Sequence, residues 1–528
     1  MERSTPPTLS NLNAFPYSNT GFTIYVPCGS KTAYTSATNW SNSSISSKIT
    51  ANLAAEIAED KYLADCDCTF PSTITIKDGA SLSAGDYSAL ATKLSGKTVN
   101  VEKELAIEKW NMIGNLSNTN TYYMLLNNAG NSTGEAHAFA VRQFDYTNNN
   151  YGSYLHYTDN TPEDYGAFFA WPFKNLYETG VETNADATVT LTQAITSVNT
   201  SSVAFSATNN NSDKWFALSN PYIGRLNLNA FYTANTSSIQ GTKAYVWDIS
   251  QQAAGMSSVT GDWEAVEISS GTPALYPATG FMIAGQNASP TFDFTTSQIL
   301  TGSATATYKA EEIDKEIVFT VLSNGIEKKA YAQLDEQADN GFDGRDSYIL
   351  FSSNEDAVNP YFAVEGKNLL DNRFNTLPYT TDLNFNAYKS NVVEFVLSKT
   401  DEELELTLID LADENAETVL NVNEPVTINV TAGQNEGRYQ IRFARKNSSI
   451  SEVANEVNNI SIWNSQSVVT INGKNLKRVE IYNTLGQRVY SSSLSGESTT
   501  FDSKLNNGAY IIKVYTANSS KSEKIIIR

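Results

Sequence analysis

Two alternating segments near the end of the chain decide its fold: Val468-Val-Thr-Ile-Asn-Gly-Lys474 and Arg478-Val-Glu-Ile-Tyr482. Apolar and polar side chains that alternate with a period of two lie on opposite faces of a half-buried β-strand. The Asn472-Gly473 pair predicts a hairpin turn after the first segment. With the alternating segments that follow, residues 468–528 are predicted to form about seven short strands and a small immunoglobulin-like β-sandwich.

The same alternation runs through the rest of the chain and predicts an all-β, multidomain protein built of β-sandwich modules. Two segments instead favour helices. Apolar residues at near-helical spacing predict a helix over Ser47–Ala64, and Asp86 is a suitable N-cap for a short helix over Asp86–Leu94. The clearest alternating segments are Ser72–Asp78, Ala187–Thr192 and Val426–Thr431.

Length and charge narrow the class of protein. The chain has 528 residues, 41% of them hydrophobic, and a formal net charge of −21. This length corresponds to about three to four domains. The negative charge argues against nucleic acid as a partner, because neutralising phosphates needs a basic face. No apolar run approaches the ~20 residues of a membrane-spanning helix, so we expect no transmembrane segment.

An internal repeat organises the middle of the chain. Lys109–Asn115 and Lys214–Asn220 share the pattern Lys-Trp-x-apolar-x-small-Asn, 105 residues apart. Each is followed by an aromatic strand, by a strand that begins with glycine (Gly166–Ala170 and Gly280–Ala284), and by an alternating strand. Two units are too few for a solenoid or a propeller, so the repeat predicts two related β-modules.

Charge separates the end of the chain from the rest. Residues 468–528 carry nine basic and four acidic side chains, a net charge of +5, which leaves −26 on residues 1–467. The polar stretch before this segment is typical of a linker. The sequence therefore predicts a separate small domain at the C-terminus.

Three motifs follow one another in this domain, Val479–Val489, Leu505–Val514 and Lys524–Arg528. In this order they closely resemble the C-terminal sorting domain of the Por (type IX) secretion system. The resemblance implies export through the outer membrane, a secreted or outer-membrane cell-surface location, and the type IX secretion machinery as a partner. It also implies that exposed strand edges and basic residues are recognised. The residues that carry the sorting signal are Val479, Ile481, Tyr482, Leu485, Gly486, Gln487, Val489, Leu505, Gly508, Tyr510, Lys524 and Arg528.

The N-terminal segment looks like the closing repeat of a BspA-type leucine-rich-repeat domain. Thr5–Phe15 and Thr23–Tyr34 carry this resemblance, the latter through a Val-Pro-x-Gly-Ser-x-x-x-Tyr pattern. A terminal repeat cannot bury its apolar face alone, so we expect the chain to derive from a longer repeat protein. The resemblance implies adhesion, or binding of a host or extracellular-matrix protein.

Cysteine and histidine offer little chemistry in this sequence. Cys28, Cys66 and Cys68 lack the further ligands of a zinc site, so they are interpreted as small buried residues or as one bridge to Cys28. His137 and His156 have no partner set for nucleophilic or zinc chemistry and are interpreted as structural. We therefore expect no catalytic residues and a non-enzymatic protein.

Two weaker site predictions remain. Asp335–Asp346 groups acidic side chains around glycines, which is either a solvated turn or a Ca²⁺ site with Asp339, Asp343 and Asp346 as ligands. No other cofactor is expected. A dense aromatic patch that includes Tyr154 and Trp171 either fills a sandwich core or stacks on sugar rings. The second interpretation makes the protein a carbohydrate-active enzyme or a carbohydrate-binding accessory protein, the alternative to an adhesin-like or ligand-binding role.

These patterns divide the chain into seven regions. The predicted regions are a terminal leucine-rich-repeat remnant at 1–46, a connecting helix and short strands at 47–105, one β-module copy at 106–205, a second copy at 206–300, a β-sandwich at 301–445, a linker at 446–467 and the sorting domain at 468–528.

Overall fold

The structure is a computed structural model of the chain. Within the residues that it describes, strands dominate and helices are few and short, which confirms the all-β prediction. These residues fall into two compact units, Met1–Ala444 and Arg445–Arg528. None of the helices described is long and apolar enough to cross a membrane. The described residues are 5–8, 22–28, 30–63, 66, 68–116, 139–152, 166–172, 188–195, 198–199, 201–249, 262–301, 315–446, 460–465, 467–516 and 520–527.

Short strands that pair in parallel form the beginning of the first unit. Successive pairs join β1 to β2, β3 to β5, β5 to β7 and β4 to β6. Paired residues lie 25 positions apart for Ile24 and Ile49, and 21 for Lys61 and Leu82. This spacing is typical of solenoids in which each repeat adds one turn. The elements are β1 (Ile24–Pro27), α1 (Lys31–Ser36), α2 (Ser43–Ser46), β2 (Ile49–Asn52), β3 (Glu56–Ile57), β4 (Lys61–Leu63), β5 (Thr73–Ile76), β6 (Leu82–Ala84), α3 (Tyr87–Leu94) and β7 (Thr98–Ala106).

This parallel ladder corrects one helix prediction and confirms the other. The helix predicted over Ser47–Ala64 is wrong, because the segment forms β2, β3 and β4. Its alanines and leucines favour a helix locally, but β2, β3 and β4 pair with β1, β5 and β6, and these strands bury Ile49 and Leu53. The second predicted helix is α3, whose N-cap Asp86 accepts a hydrogen bond of 3.0 Å from the backbone N–H of Ala89.

A disulfide closes the start of the ladder. Cys28 and Cys68 are joined by a bridge with a Cα–Cα distance of 5.4 Å. Of the two interpretations of the cysteines, the structure therefore supports one bridge to Cys28. Cys66 is not part of a disulfide.

Two four-stranded sheets correspond to the internal repeat. Their strand orders, β8-β11-β9-β10 and β14-β19-β16-β17, place equivalent segments in equivalent positions. Antiparallel pairs β7–β12 and β13–β20 flank the two sheets. The elements are β8 (Asn111–Gly114), β9 (Phe139–Asp145), β10 (Asn150–Tyr151), β11 (Ala167–Pro172), β12 (Thr188–Ile195), β13 (Val203–Ser206), β14 (Trp215–Ser219), β15 (Leu226–Asn227), α4 (Leu228–Ala234), β16 (Lys243–Asp248), β17 (Asp262–Glu267), β18 (Ala274–Leu275), β19 (Gly280–Ala284), β20 (Thr291–Phe294) and a 3₁₀ turn at Thr296–Gln298.

Strand pairing fixes how the two copies correspond. Gly114 pairs with Ala167 in the first copy, and Ser219 pairs with Gly280 in the second. Because Gly114 and Ser219 occupy the same place after the two Lys-Trp motifs, Ala167 and Gly280 are equivalent positions. The sequence alignment of Gly166 with Gly280 is therefore wrong by one residue.

The two copies meet at a junction with approximate two-fold symmetry. One β-bridge joins Ile113 to Thr279 and another joins Gly166 to Leu218. With the corrected alignment, Ile113 is equivalent to Leu218 and Thr279 to Gly166. The two bridges are therefore the same contact, made once in each direction.

Equivalent residues approach each other closely at the centre of this junction. A Cβ added to Gly114 would overlap the Cβ of Ser219, and a Cβ added to Gly280 would lie 2.7 Å from the Cβ of Ala167. Each approach therefore requires glycine on one of the two copies.

One curled sheet forms the remainder of the first unit. Its strand order is β29-β28-β31-β26-β24-β25-β22-β21-β27-β30, with β23 paired to β25. The sheet folds over itself, because the ring of Phe319 in β21 lies 6.3 Å from that of Phe443 in the distant β31. The elements are β21 (Ile317–Ser323), β22 (Ile326–Leu334), β23 (Ser347–Tyr348), β24 (Val358–Val364), β25 (Lys367–Phe374), β26 (Tyr379–Ala387), β27 (Asn391–Lys399), β28 (Leu404–Asp410), β29 (Ala416–Leu420), β30 (Pro425–Val430) and β31 (Gly433–Arg445).

The second unit is the predicted small β-sandwich, with seven described strands. One sheet has the order β32-β33-β36 and the other β35-β34-β37-β38. Apolar side chains of both sheets, such as Val469 and Val514, form one core. The elements are β32 (Ser461–Ser465), β33 (Val468–Asn472), β34 (Leu476–Tyr482), β35 (Arg488–Ser493), β36 (Ser498–Asp502), β37 (Gly508–Thr516) and β38 (Ser520–Ile527).

Two predictions at the start of this sandwich are wrong. Asn472-Gly473 does not close a hairpin, because β33 and β34 belong to different sheets and the chain crosses between them. The region predicted as a linker at 446–467 contains β32, which pairs with β33, and Ile460 and Ile462 are buried in the core. Burial of these two isoleucines makes residues 460–465 part of the domain.

Candidate functional site

Several residues of the predicted sorting motif build the interior of the C-terminal sandwich. Val479 and Ile481 of β34 are fully buried, and Leu505 and Tyr510 pack at the edge of the same core. The hydroxyl of Tyr510 donates a hydrogen bond of 3.0 Å to the carbonyl of Asn506. These residues hold the domain together, so the motif is partly a folding signal.

The turn between β34 and β35 presents the motif to solvent. The Oδ1 atom of Asn483 accepts hydrogen bonds of 3.0 Å from the backbone N–H groups of both Leu485 and Gln487. Gly486 has a φ of 78°, a conformation that favours glycine. These hydrogen bonds fix the conformation of the turn, and the side chain of Leu485 at its tip is 82% exposed. Leu485 therefore contributes nothing to the core.

Glu480 lies at the centre of the outer face of the four-stranded sheet. Its carboxylate accepts hydrogen bonds from Tyr482 at 2.7 Å, from Tyr515 at 2.8 Å and from Arg488 at 2.8 Å. These bonds, led by those of the two tyrosines, lower the pKa of Glu480 to about 2. One carboxylate thus ties β34, β35 and β37 together.

Basic side chains surround this carboxylate. Arg478 and Lys513 lie over the ring of Tyr515, with their charged groups 4.5 and 5.0 Å from its centroid. Val489 and Lys524 are also exposed. Arg528 lies outside the described residues. The outer face is therefore basic and aromatic around a single buried acid.

The side chains of two of the predicted calcium ligands, Asp343 and Asp346, accept hydrogen bonds from backbone N–H groups. Asp343 accepts from the backbone N–H of Arg345 at 2.7 Å, and Asp346 accepts from that of Arg373 at 2.8 Å. Asp339 takes part through its backbone, which donates to Asp343 at 2.6 Å. Across the described ranges, no group of three or more Asp, Glu, His or Cys side chains is arranged to hold a metal ion.

The described part of the aromatic patch lies in the core. Trp171 is 4% exposed, and its ring centroid lies 5.5 Å from that of Trp110. Phe169 is fully buried beside it. Of the two interpretations of Trp171, its position corresponds to the core. Tyr154, His137 and His156 lie outside the described residues.

A buried ionic network lies between the second repeat copy and the curled sheet, and sequence reasoning missed it. Lys243 of β16 lies 3.1 Å from Glu267 and 2.8 Å from Glu316. Arg373 of β25 lies 3.2 Å from Asp371 and 3.4 Å from Glu267. The available signal was the presence of charged residues inside otherwise apolar strands, but the sequence does not show which charges meet.

A cavity of about 350 Å³ opens beside this network, between β17 and the curled sheet. Its lining combines Trp263 with charged residues, among them Asp262, Glu264 and Lys328. Lys328 forms an ion pair with Asp262. Burial lowers the pKa of Lys328 to about 8, against the effect of the nearby Asp248 carboxylate. Periodicity gave no indication of this site, because the lining comes from five strands and their loops.

Comparison with known families identifies the C-terminal sandwich. The family model of the secretion system C-terminal sorting domain (Por_Secre_tail) matches residues 463–528. The match begins inside β32, in agreement with the place of that strand in the domain. The search of curated proteins returned no match to this chain.

Two solved structures show slight similarity. The first comes from the structural and functional probing of PorZ, an essential bacterial surface component of the type-IX secretion system of Porphyromonas gingivalis. It shares 13% sequence identity with this chain, has a TM-score of 0.14 and covers 29% of this chain. The second, a biofilm associated protein BSP domain, has 10% identity, a TM-score of 0.12 and coverage of 62% of this chain. The chain spans 30% and 63% of those two proteins. At these TM-scores neither structure informs the fold or function.

Proposed function

We propose that the passenger, the part of the chain before the sorting domain, is a non-enzymatic, adhesin-like or ligand-binding protein. Because residues 463–528 match the sorting domain of the type IX secretion system, the chain is exported to the cell surface or extracellular space. The type IX machinery is the partner during export. The passenger then acts on a host or matrix protein, or on a glycan.

The parallel ladder at the start of the passenger is the observation that carries this proposal. Solenoids stack short repeats and offer extended surfaces for binding. The repeat-like pairing of β1 with β2 and of β5 with β7 extends the resemblance to leucine-rich repeats beyond the first 46 residues. A repeat-built passenger on a surface-exported chain supports an adhesin-like role.

A recess on the ladder supplies a contact surface. It has a volume of about 530 Å³, and its lining includes Tyr25, Pro27, Leu53 and Ile57. Tyr25 is 53% exposed at its edge. Exposed tyrosines beside apolar recesses are common at protein interfaces.

Binding of the purified full chain to immobilised fibronectin, laminin and fibrinogen tests the proposal. We expect binding to at least one protein above an albumin control, weakened by Tyr25→Ser. Tyr388→Ser is the matched control, because Tyr388 has the same exposure and lies outside the ladder, in the connection between β26 and β27. If the chain binds none of the three, or if both variants weaken binding equally, this surface is not the adhesive one.

We also infer that the export machinery contacts the turn at 483–487. The side chain of Leu485 is held out by the hydrogen bonds of Asn483 and is not needed in the core. The basic residues around Glu480 lie on the adjoining sheet face. This arrangement separates the folding role of the motif from its recognition.

A further inference from the structure

We propose that the cavity between β17 and the curled sheet binds a neutral saccharide. This inference rests on the proposed ligand-binding role of the passenger and gives it a site and a ligand class. The cavity has a volume of about 350 Å³, within the range of small-molecule sites. It differs from the aromatic patch that the sequence analysis considered for sugar binding.

A buried amide without a full set of partners belongs to a residue that lines this cavity, Asn359. Asn359 is 2% exposed, and its Oδ1 accepts a hydrogen bond of 3.1 Å from the backbone N–H of Ser352. Its Nδ2 has no hydrogen-bond partner within the described part of the chain. Leaving a buried donor unpaired is unfavourable. Nδ2 has almost no accessible surface, so only a ligand that draws this amide toward the cavity would give it an acceptor.

The rest of the lining offers both acceptors and donors. Asp262 and Glu264 supply carboxylates, and Lys328 and Lys329 supply ammonium groups. A sugar hydroxyl donates one hydrogen bond and accepts others, so it pairs with both kinds of group. A wall that mixes acceptors and donors therefore suits a polyhydroxylated ligand.

Aromatic rings provide the apolar part of the wall. Trp263 lines the cavity and is supported from behind by Trp247, with ring centroids 5.0 Å apart. Tyr331 lines the cavity from β22. The carbon-bound hydrogens of a sugar ring pack against such aromatic surfaces, while its hydroxyls reach the polar groups at the edge.

The charge of the lining separates a saccharide from other ligand classes. Four acidic residues, Asp248, Asp262, Glu264 and Glu327, face two lysines, so an anionic ligand is repelled. A metal ion is disfavoured because Lys328 neutralises Asp262 inside the cavity. A neutral ligand with many hydroxyls satisfies the wall without adding charge.

A glycan array probed with the labelled full chain tests this proposal. The array carries neutral oligosaccharides that end in mannose, galactose, glucose or N-acetylglucosamine, and the brightest is titrated in solution by calorimetry. We expect selective binding that Trp263→Ala and Glu264→Gln each weaken about tenfold or more, the loss of one strong contact. Trp463→Ala is the matched control, since Trp463 lies exposed in the C-terminal sandwich; it should leave binding unchanged.

A variant that fails to fold would also lose binding, so the folding of each variant is checked separately. Thermal melting establishes whether Trp263→Ala folds; if it does not, Glu264→Gln decides, because Glu264 is exposed at the rim. A blank array overturns the proposal, and so does binding that neither variant weakens. A blank array together with retained binding to a matrix protein removes the saccharide site alone, whereas loss of both removes the proposed function as well.

Discussion

The Nζ atom of Lys243 lies 3.1 Å from the Oε2 atom of Glu267, and both side chains are 3% exposed. Burial disfavours the charged lysine, but the carboxylates of Glu267, Asp371 and Glu316 outweigh it and hold the pKa of Lys243 above its ordinary value. Glu267 also contacts Arg373 of the curled sheet at 3.4 Å. This pair therefore connects the second repeat copy to the sheet beside the proposed saccharide cavity.

Replacing Lys243 is expected to destabilise the first unit. Lys243→Met keeps most of the volume but leaves buried carboxylates without their counter-charge, so we expect a loss of about 3–5 kcal/mol in the free energy of unfolding. Urea unfolding of the full chain measures it. Lys389→Met removes the exposed pair with Glu355 and should leave the free energy of unfolding nearly unchanged, because solvent screens that pair. Equal effects of the two substitutions would contradict a structural role for the buried network.

The stability of the first unit should depend on the charge of Asp346. Burial raises the pKa of Asp346 to about 7, against the hydrogen bonds from the backbone of Arg373 and Asp343. Its folded pKa lies above the ordinary aspartate value of 3.8, so its favourable contribution is present at low pH and is lost as the pH rises through 7. Between pH 5 and 8 we expect the free energy of unfolding of the first unit to fall by about 2–3 kcal/mol.

Asp346→Asn isolates this effect. The free energy of unfolding is measured from pH 5 to 8 for both proteins. Over this range it should fall by about 2–3 kcal/mol less in the variant than in the parent chain. Parallel curves for the two proteins would show that Asp346 does not titrate in this range.

In the C-terminal sandwich the pH dependence should have the opposite sign. Hydrogen bonds from Tyr482 and Tyr515 lower the pKa of Glu480 to about 2. Its stabilising effect is therefore present above the ordinary glutamate pKa of 4.5 and is lost as the pH falls toward 2. Glu480→Gln should lower the melting temperature of this unit at pH 7 and have little effect near pH 2. Glu497→Gln, at an exposed site of the same unit, should change the melting temperature neither at pH 7 nor near pH 2.

Export should depend on Leu485 more than folding does. Leu485→Ser removes the exposed apolar tip of the turn, so we expect severalfold less protein at the surface with an unchanged melting temperature. Val468→Ser changes an exposed apolar residue outside the motif and serves as control. Surface display is measured by protease accessibility on whole cells. Normal display of the Leu485 variant would place the recognised surface elsewhere on the sandwich.

Trp171 should act as a core residue. Trp171→Ala removes a buried ring packed against Trp110 and should lower the free energy of unfolding by about 3–5 kcal/mol. Chemical denaturation measures the loss. A variant of normal stability that has lost glycan binding would instead support the sugar-stacking interpretation of the patch.

Local patterns predicted the features whose causes are local. Alternation identified strands such as β5, β12 and β30, and Asp86 marked the start of α3 because a cap bonds within its own first turn. Long-range pairing decided the rest. Ser47–Ala64 became strands through contact with β1, and Gly473 led into the other sheet because each sheet buries one face. Lys243 and Asp371 are far apart in sequence, so no spacing could place them in one network.

The junction of the two repeat copies has an evolutionary consequence. In a homodimer of separate copies, each axial position would carry the same residue twice, and two serines at the place of Gly114 and Ser219 would collide. Fusion into one chain lets the halves differ, with glycine on one side and serine or alanine on the other. Divergence after gene duplication can therefore adjust each side separately, and the covalent link prevents the halves from exchanging partners outside the cell.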